Sequence, residues 1–583
     1  MKQIISLFFI VVLAGFNCLF SQNVENSQFA KPNLPQESIY VHYNSSLLFS
    51  GEYLYMKVYC LDAVNGRPSK LSEIAYLELV NEAGKAVFKH KVALKNSKRQ
   101  SDYFVPSDLP SGNYKLVGYT QWMINFGVSS FFQADITVLN PYSNDQEALV
   151  KIEDSELSEE KMREDTESEN LDRGFKKFEL LLSDDKFGKR EKAAVVLKNN
   201  IRELGFGNYS LSIRKIDEIP ALKRLSTINF ERSISSKQLP KPYAFPPESS
   251  GSILSGKVYA KNTGKPAADK NVAISIPGKD FYFQGRATNA QGMFSFSLDS
   301  HHQSDLATLQ VVEKDKESYN LELTKNEPID YSGLTFRSIK IDSSMAKEIV
   351  QRSVSNQIEN GYYSVKPDTI ISKEPFKPFY YYEDKVDYDL DDFTRFPTMK
   401  ETLIEIVDFV WTRRNAAGET ELNVVNYKHQ DETEEPPLLF IDGMLVQDHE
   451  TVLNYDPMKV KSISFLRNSY IFGTHTYQGV ILIETKLGDY KHQLSEDYYK
   501  DLELFKPKEP KQYYHQVYDE TNTAKRIPDY RSQLLWEPNI ELQRIVLRFD
   551  FFTSNNTGVY EISLEGFTFD GQPVSLKERF IVE

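Results

Sequence analysis

The chain has 583 residues, of which 40% are hydrophobic and 13% aromatic, enough to bury several cores; length alone points to about four domains. A formal net charge of -14 argues against nucleic acid or an anionic membrane surface as a partner. The two cysteines are Cys18, near the N-terminus, and Cys60; with Cys18 in a leader, no intramolecular disulfide is expected and stability falls to packing.

Met1-Lys2-Gln3 followed by the apolar run 4–20 reads as a secretory signal peptide, 1–21, with a junction at Ser21-Gln22. Asn17 disfavours acylation at Cys18, where a small preceding residue is expected. The mature chain is therefore expected to start near Gln22 without a lipid. No later stretch approaches the ~18–20 continuous apolar residues of a membrane helix, so no transmembrane span is expected after the signal is removed.

From Ile39 the pattern becomes all-β. Short alternating runs surround Ser50-Gly51-Glu52, and further strands are expected at 75–80, 86–94, 112–120 and 136–140, as in an antiparallel sandwich over 37–142. Tyr40-Val41-His42, Ser50-Gly51-Glu52, Lys57-Val58-Tyr59, 109–114 and Tyr119-Thr120-Gln121-Trp122-Met123 make this unit resemble a macroglobulin domain of the alpha-2-macroglobulin superfamily. The segment 119–125 is also similar to one in Bacteroidetes envelope proteins that pair such a domain with a receptor plug.

The charge run 153–172 reads as a solvated acidic linker, 143–175, and lacks the spacing of a calcium-binding loop. A second β domain is expected over 176–248, closed by a connector with Pro240, Pro242, Pro246 and Pro247. Over 251–328, Gly256-Lys257-Val258-Tyr259, Lys265-Pro266-Ala267, the Asn289–Gly292 turn and the Phe294/Phe296 alternation resemble a carboxypeptidase regulatory-like β-sandwich. That resemblance implies no peptidase chemistry. A helical connector, 329–375, contains an amphipathic helix over 343–360, with Met345, Ile349, Val350, Val354 and Ile358 on one side.

Residues 376–490 hold the most specific pattern. Thr398 is an expected N-cap with Glu401 three residues on. The apolar run 438–441 ends in Asp442-Gly443, a hairpin turn dipeptide, and strands are expected at 460–466 and 479–485. Ile441-Asp442-Gly443, 463–466, Gly473 and 479–486 resemble the plug domain of TonB-dependent outer-membrane receptors in its Bacteroidetes form. Asp442, Gly443, Gly473 and Gly479 are its expected turn residues. The unbroken apolar run 480–483 predicts a central strand covered on both faces. A linker over 491–525 and a C-terminal β unit over 526–583 complete the reading. A receptor barrel of about 22 strands, each of ~9–11 residues, needs more chain than the segment after residue 486 supplies, so a plug-like domain without a barrel is expected.

Enzymatic patterns are not found in the sequence. His301-His302 stands outside any HExxH arrangement, there is no G-x-S-x-G elbow, and Cys60 lies within a strand-like MKVYCLD rather than a thioester motif. No catalytic residue, cofactor or metal ligand is expected. The fold class is mainly β and multidomain: tandem antiparallel β-sandwiches, a small α/β plug-like domain and a C-terminal β unit. The resemblances imply a non-enzymatic accessory protein of the cell envelope, at the outer membrane or in the periplasm, docking transporter or assembly proteins through the plug-like and macroglobulin-like domains. The alternative is a module that delivers a glycan or peptide to a transporter, with Tyr380, Tyr381 and Tyr382 as its stacking platform.

Overall fold

The structure is a computed structural model that describes residues 34–147, 149–150, 177–232, 244–278, 280–298, 304–325, 327–371, 379–380, 385–415, 418–425, 435–491, 496–518 and 526–583. The expected signal peptide, the acidic run 153–172, His301, His302, Tyr381 and Tyr382 lie outside the described residues. Residues 37–583 pack as one unit.

The chain is mainly β and multidomain. In the first sandwich, Tyr53–Asp62 lies between Glu37–Tyr43 and Lys98–Phe104 in an antiparallel sheet. The facing sheet runs in the order Leu47–Phe49, Phe132–Leu139, Gly112–Tyr119, Ile74–Asn81, Ala86–Ala93. Alternation along Tyr53–Asp62 sends Leu54, Met56 and Val58 into the shared core, where they are fully buried. The two sheets approach so closely that a Cβ on Gly118 would lie 3.0 Å from Ile39. Buried Glu37 ties loops to this core, accepting from Ser69 Oγ and Ser72 Oγ at 2.6 Å and from Thr120 Oγ1 at 2.7 Å. Cys60 is buried beside it, and burial pushes its thiol well up, as does the neighbouring Glu37 carboxylate.

The second sandwich corrects the expected domain plan. Strands within 178–215 and 533–582 share both of its sheets, so the expected units 176–248 and 526–583 are not separate. Gly207–Lys215 is inserted between Gly558–Thr568 and Gln533–Leu542, and Lys192–Asn199 between Phe178–Leu182 and Val546–Phe552. Neither segment closes a core alone: Leu211 and Ile213 are fully buried only in company with Leu535, Ile562 and Leu564. The outer face of Tyr53–Asp62 is bonded to this sandwich, Lys57 Nζ to Asn539 Oδ1 at 2.8 Å and Tyr59 OH to Ser210 Oγ at 3.0 Å.

In the third sandwich, Ser252–Ala260 is flanked by Met293–Leu298 and Tyr319–Leu323, and the facing sheet runs Tyr282–Ala287, Asn271–Ile276, Leu306–Val311, Tyr499–Glu503. Phe294 and Phe296 share one face, both buried, with ring centroids 5.7 Å apart. Described parts of the expected linker 491–525 thus belong to the fold. Tyr499–Glu503 extends this sheet, and Lys511–Gln512 pairs with Thr369–Ile370. Its polar composition conceals Tyr498 and Tyr499, which are buried in the core.

The α/β unit has a five-stranded sheet in the order Val386–Asp389, Val460–Leu466, Val480–Thr485, Leu438–Ile441, Met444–Leu445. Val480–Thr485 is central, antiparallel to one neighbour and parallel to the other. Ile481 and Ile483 face a core shared with the helix Met399–Ile406, whose N-cap Thr398 accepts from Glu401 N at 3.2 Å. Val480 and Leu482 face the opposite way, into a core built with Phe281, Phe283 and Phe472, so the sheet's second face is closed by the third sandwich.

The helix Ala346–Gly361 departs from its expected polarity. It buries Arg352, Ser353, Ser355 and Asn356, while Val350 and Val354 are 61% and 48% exposed. Met345 and Ile349 alone of the expected apolar face pack partly against a core, that of Phe49 and Leu139. The polar face is drawn inward by a buried carboxylate, Glu52.

Candidate functional site

The residues singled out in the sequence gather at the joint between the third sandwich and the α/β unit. Asp442 and Gly443 both have positive φ, 49° and 83°, as a two-residue turn matching strand twist requires. The Asp442 carboxylate accepts from Thr485 N at 2.7 Å, Thr485 Oγ1 at 2.6 Å and Tyr490 N at 3.0 Å, fastening the turn to the central strand's end. A Cβ on Gly443 would lie 2.2 Å from Phe281 Cβ, and one on Gly473 would lie 1.8 Å from Asn271 Oδ1. Gly479, at φ 145°, lets Leu466 O approach within 2.4 Å of where a Cβ would stand. Tyr380 is half-buried at the same joint, its ring centroid 5.3 Å from Phe379 and 6.4 Å from Phe281. Gly443 and Gly473 let the two bodies approach closely, Gly479 and the Asp442 carboxylate serve within the α/β unit, and Tyr380 packs in the joint instead of standing out as a platform.

A different site forms where the first sandwich, the second sandwich and the helix Ala346–Gly361 meet. Glu52, buried at the start of the strand Tyr53–Asp62, accepts from Arg352 Nε at 2.8 Å, Arg352 Nη2 at 2.7 Å, Arg214 Nη2 at 3.0 Å and Asn356 Nδ2 at 3.1 Å. Arg352 also donates to Asp217 at 2.7 Å and to Leu47 O at 2.9 Å, with its guanidinium 4.3 Å from the Phe49 ring centroid. Burial by itself would raise the Glu52 pKa, but the guanidiniums of Arg352 and Arg214 outweigh it and hold the carboxyl at about 2. The hub is a permanent ion cluster, and a cleft opens on either side of it.

One cleft, of about 150 Å³, is lined by Tyr53, Tyr55, Tyr363, Tyr513, Tyr514 and Trp536. Alternation places Tyr53 and Tyr55 together on the outer face of their strand, rings near-parallel with centroids 5.6 Å apart. Tyr363, 41% exposed, stacks on Tyr53 at 6.0 Å, and Trp536 stacks on Tyr55 at 5.9 Å. Tyr513 meets Tyr55 edge-on at 5.0 Å and donates to Asp102 at 3.2 Å. Amide and charged groups of Asn356, Asn360, Glu359, Asp368 and Gln533 complete the wall. Lys366 Nζ, buried in this wall, donates to Glu359 at 2.7 Å. Buried Trp536 Nε1 has no hydrogen-bond partner among the described residues, a costly state for an indole N–H.

Stacked rings beside fixed amides and carboxylates bind a small extended or ring-shaped polar ligand by stacking and hydrogen bonding. Sequence reasoning missed this site, since its rings come from segments far apart in the chain. The available signals were the Tyr53/Tyr55 alternation and the Tyr513-Tyr514 pair. Among the described residues, no group of three His, Cys, Asp or Glu side chains is placed to hold a metal. No helix of the described residues is long and apolar enough to cross a membrane.

No family model matches this chain, and no curated protein matches it in sequence. Among solved structures, Escherichia coli alpha-2-macroglobulin activated by porcine elastase is similar at 8% identity and a TM-score of 0.24, over 94% of this chain and 44% of that one. The native conformation of E. coli alpha-2-macroglobulin gives 11% identity and a TM-score of 0.23, over 95% and 40%. Dimeric latent PorU from Porphyromonas gingivalis gives 12% and 0.15, over 50% and 34%. The chain spans less than half the length of these proteins. Similarity at this level assigns neither a family nor a function.

Proposed function

We propose that this chain is a non-enzymatic interaction protein of the bacterial cell envelope, and that the aromatic cleft is where it takes an extended peptide segment of a protein partner. The observation that carries the reading is the cleft itself, with five tyrosines gathered around Trp536. Tyrosine and tryptophan gathered in a concave setting are the residue types that dominate protein-recognition energy. The plug-like sheet is less suited to the docking role that its sequence resemblance implies. Its Met444–Leu445 edge is covered by the third sandwich, with Gln310 Nε2 donating to Leu445 O at 2.8 Å. The partner fits the class of an outer-membrane transporter or assembly component, and the resemblances noted in the sequence support a place at the outer membrane.

A glycan is the second reading, favoured by the near-parallel Tyr53 and Tyr55 rings beside the Asn356, Asn360 and Gln533 amides. Affinity isolation of the full chain from native membranes separates the two. A stoichiometric protein partner lost from the Tyr53→Ala/Tyr363→Ala variant, and retained when Tyr380, Tyr381 and Tyr382 are replaced, is the expected result. Recovery of a saccharide without a protein establishes the second reading. Loss of the partner only when Asp387→Pro blocks the opposite sheet edge, Val386–Asp389, would return docking to the plug-like unit.

A further inference from the structure

The first and second sandwiches meet through one face of the strands Glu37–Tyr43 and Tyr53–Asp62, and that joint is polar. Alternation and register put Tyr40, His42, Lys57 and Tyr59 on this face, with His42 and Lys57 directly opposite each other as cross-strand partners. Across the joint, His42 Nδ1 is bonded to Ser210 Oγ at 2.7 Å, and Asn44 Nδ2 donates to Gln533 Oε1 at 3.1 Å. These add to the Lys57–Asn539 and Tyr59–Ser210 bonds. Each sandwich keeps a core of its own, and Phe567 of the second packs into the core of the first.

His42 is 2% exposed, and its Nε2 has no partner among the described residues. The Trp536 ring beside it, with centroids 5.1 Å apart, brings a second donor and no acceptor, since Trp536 Nε1 is unpaired too. Whichever tautomer is present, a second proton on the imidazole therefore adds a donor without an acceptor and a buried charge. The charges that act on His42 from neighbouring segments are those of Arg224 and Lys577, both cationic, and together with burial they push its pKa well down. Lys57 on the adjoining strand is also pushed well down, by burial and by Lys98 and Arg99, with Glu537 opposing. Glu565, a buried carboxylate of the joint, is held by Thr227 N at 2.8 Å and Ser575 Oγ at 2.7 Å, and burial raises its pKa, so it turns neutral as pH falls instead of answering a new cation. We infer that this joint is an acid-operated latch: protonation of His42 separates the first and second sandwiches while each keeps its own core. Tyr55 and Trp536, stacked at 5.9 Å, stand on opposite sides of the joint, so its opening takes the aromatic cleft apart. The Glu52 cluster keeps its charge down to about 2 and stays closed as the fixed end of the movement. The inference rests on the joint itself and is independent of what the aromatic cleft binds.

The test is thiol labelling of the full chain carrying Ser212→Cys, a near-isosteric change at a joint position that is 1% exposed and bonded to Gln533. Labelling is read peptide by peptide by mass spectrometry, and Cys60, buried in the first sandwich, is the internal control. Rates divided by those of a free thiol at each pH report the open population. A base whose pKa is lower in the closed state than in the open one costs closure progressively as pH falls from the open-state value toward the closed-state one. For His42 that loss begins at 6.5. Lys57 acts in the same sense from 10.5 downward and Glu565 in the opposite one, so a step that starts at 6.5 belongs to His42. Labelling of the introduced thiol should steepen below that value and gain about thirtyfold by about pH 5, with Cys60 still protected. His42→Gln should remove the step; if that variant melts early, His42→Asn carries the comparison. Absence of the step in the parent, an equal rise at Cys60, or a step that survives the loss of the imidazole overturns the inference.

Discussion

At the scale of single residues, Glu52 contributes more than its strand position suggests. A carboxylate whose folded pKa lies below its unfolded one adds stability that is fully present above the unfolded value and disappears as pH falls through the folded value. For Glu52 that window runs from 4.5 down to about 2. The difference corresponds to on the order of 3 kcal/mol. Glu52→Gln should lower stability at neutral pH by about that amount and flatten the loss of stability between pH 4.5 and 2 relative to the parent, as read by denaturant titrations at several pH values. An unchanged acid profile would show that Glu52 is not held by Arg352 and Arg214. None of this was legible in the sequence. The Asp442-Gly443 turn could be read because its chemistry is local, two adjacent residues dictating one backbone geometry. Glu52 meets its partner Arg352 across 300 positions, and neither residue carries a local mark of the other.

At the scale of elements, the strand Val480–Thr485 behaves as its unbroken apolar run implies, because a strand covered on both faces needs apolar residues at successive positions. The helix Ala346–Gly361 does not. Its apolar stripe predicts the buried face, yet the demand of Glu52 for cationic and amide partners turns Arg352 and Asn356 inward and leaves Val350 and Val354 toward solvent. Periodicity reports a helix reliably but reports its orientation only when no buried charge competes. The central strand supports a prediction of its own. Ile481→Asp would place a charge in a fully buried position of the α/β core, and loss of the sheet would also strip Phe281 and Phe283 of their apolar cover. Proteolysis of this variant should therefore release cleavage within the third sandwich as well as within 385–491, while the first sandwich stays protected. Cleavage confined to the α/β unit would mean that the joint at Gly443 and Gly473 contributes little.

At the scale of the whole molecule, the order of units along the chain is not their order in space. Sandwiches and a small α/β unit could be read from local patterns, but strand pairing between distant segments leaves no trace in local periodicity. So the shared second sandwich, and the strand lent by 499–503 to the third, could not be seen. Deleting 526–583 should consequently destroy the second sandwich, exposing the faces of Leu211 and Ile213, whereas a free-standing terminal unit would be removed without effect. Hydrogen exchange on the truncated chain should show loss of protection over 192–215 and retention over 74–81 and 112–119. The same threading imposes an order on biosynthesis. The strand Gly207–Lys215 is translated well before its two neighbours, Gln533–Leu542 and Gly558–Thr568. Until they arrive, an aggregation-prone edge stands open on the nascent chain. A chain built this way is expected to fold slowly, completing this sheet only once the later strands have emerged, and so to depend on a holding chaperone throughout the interval.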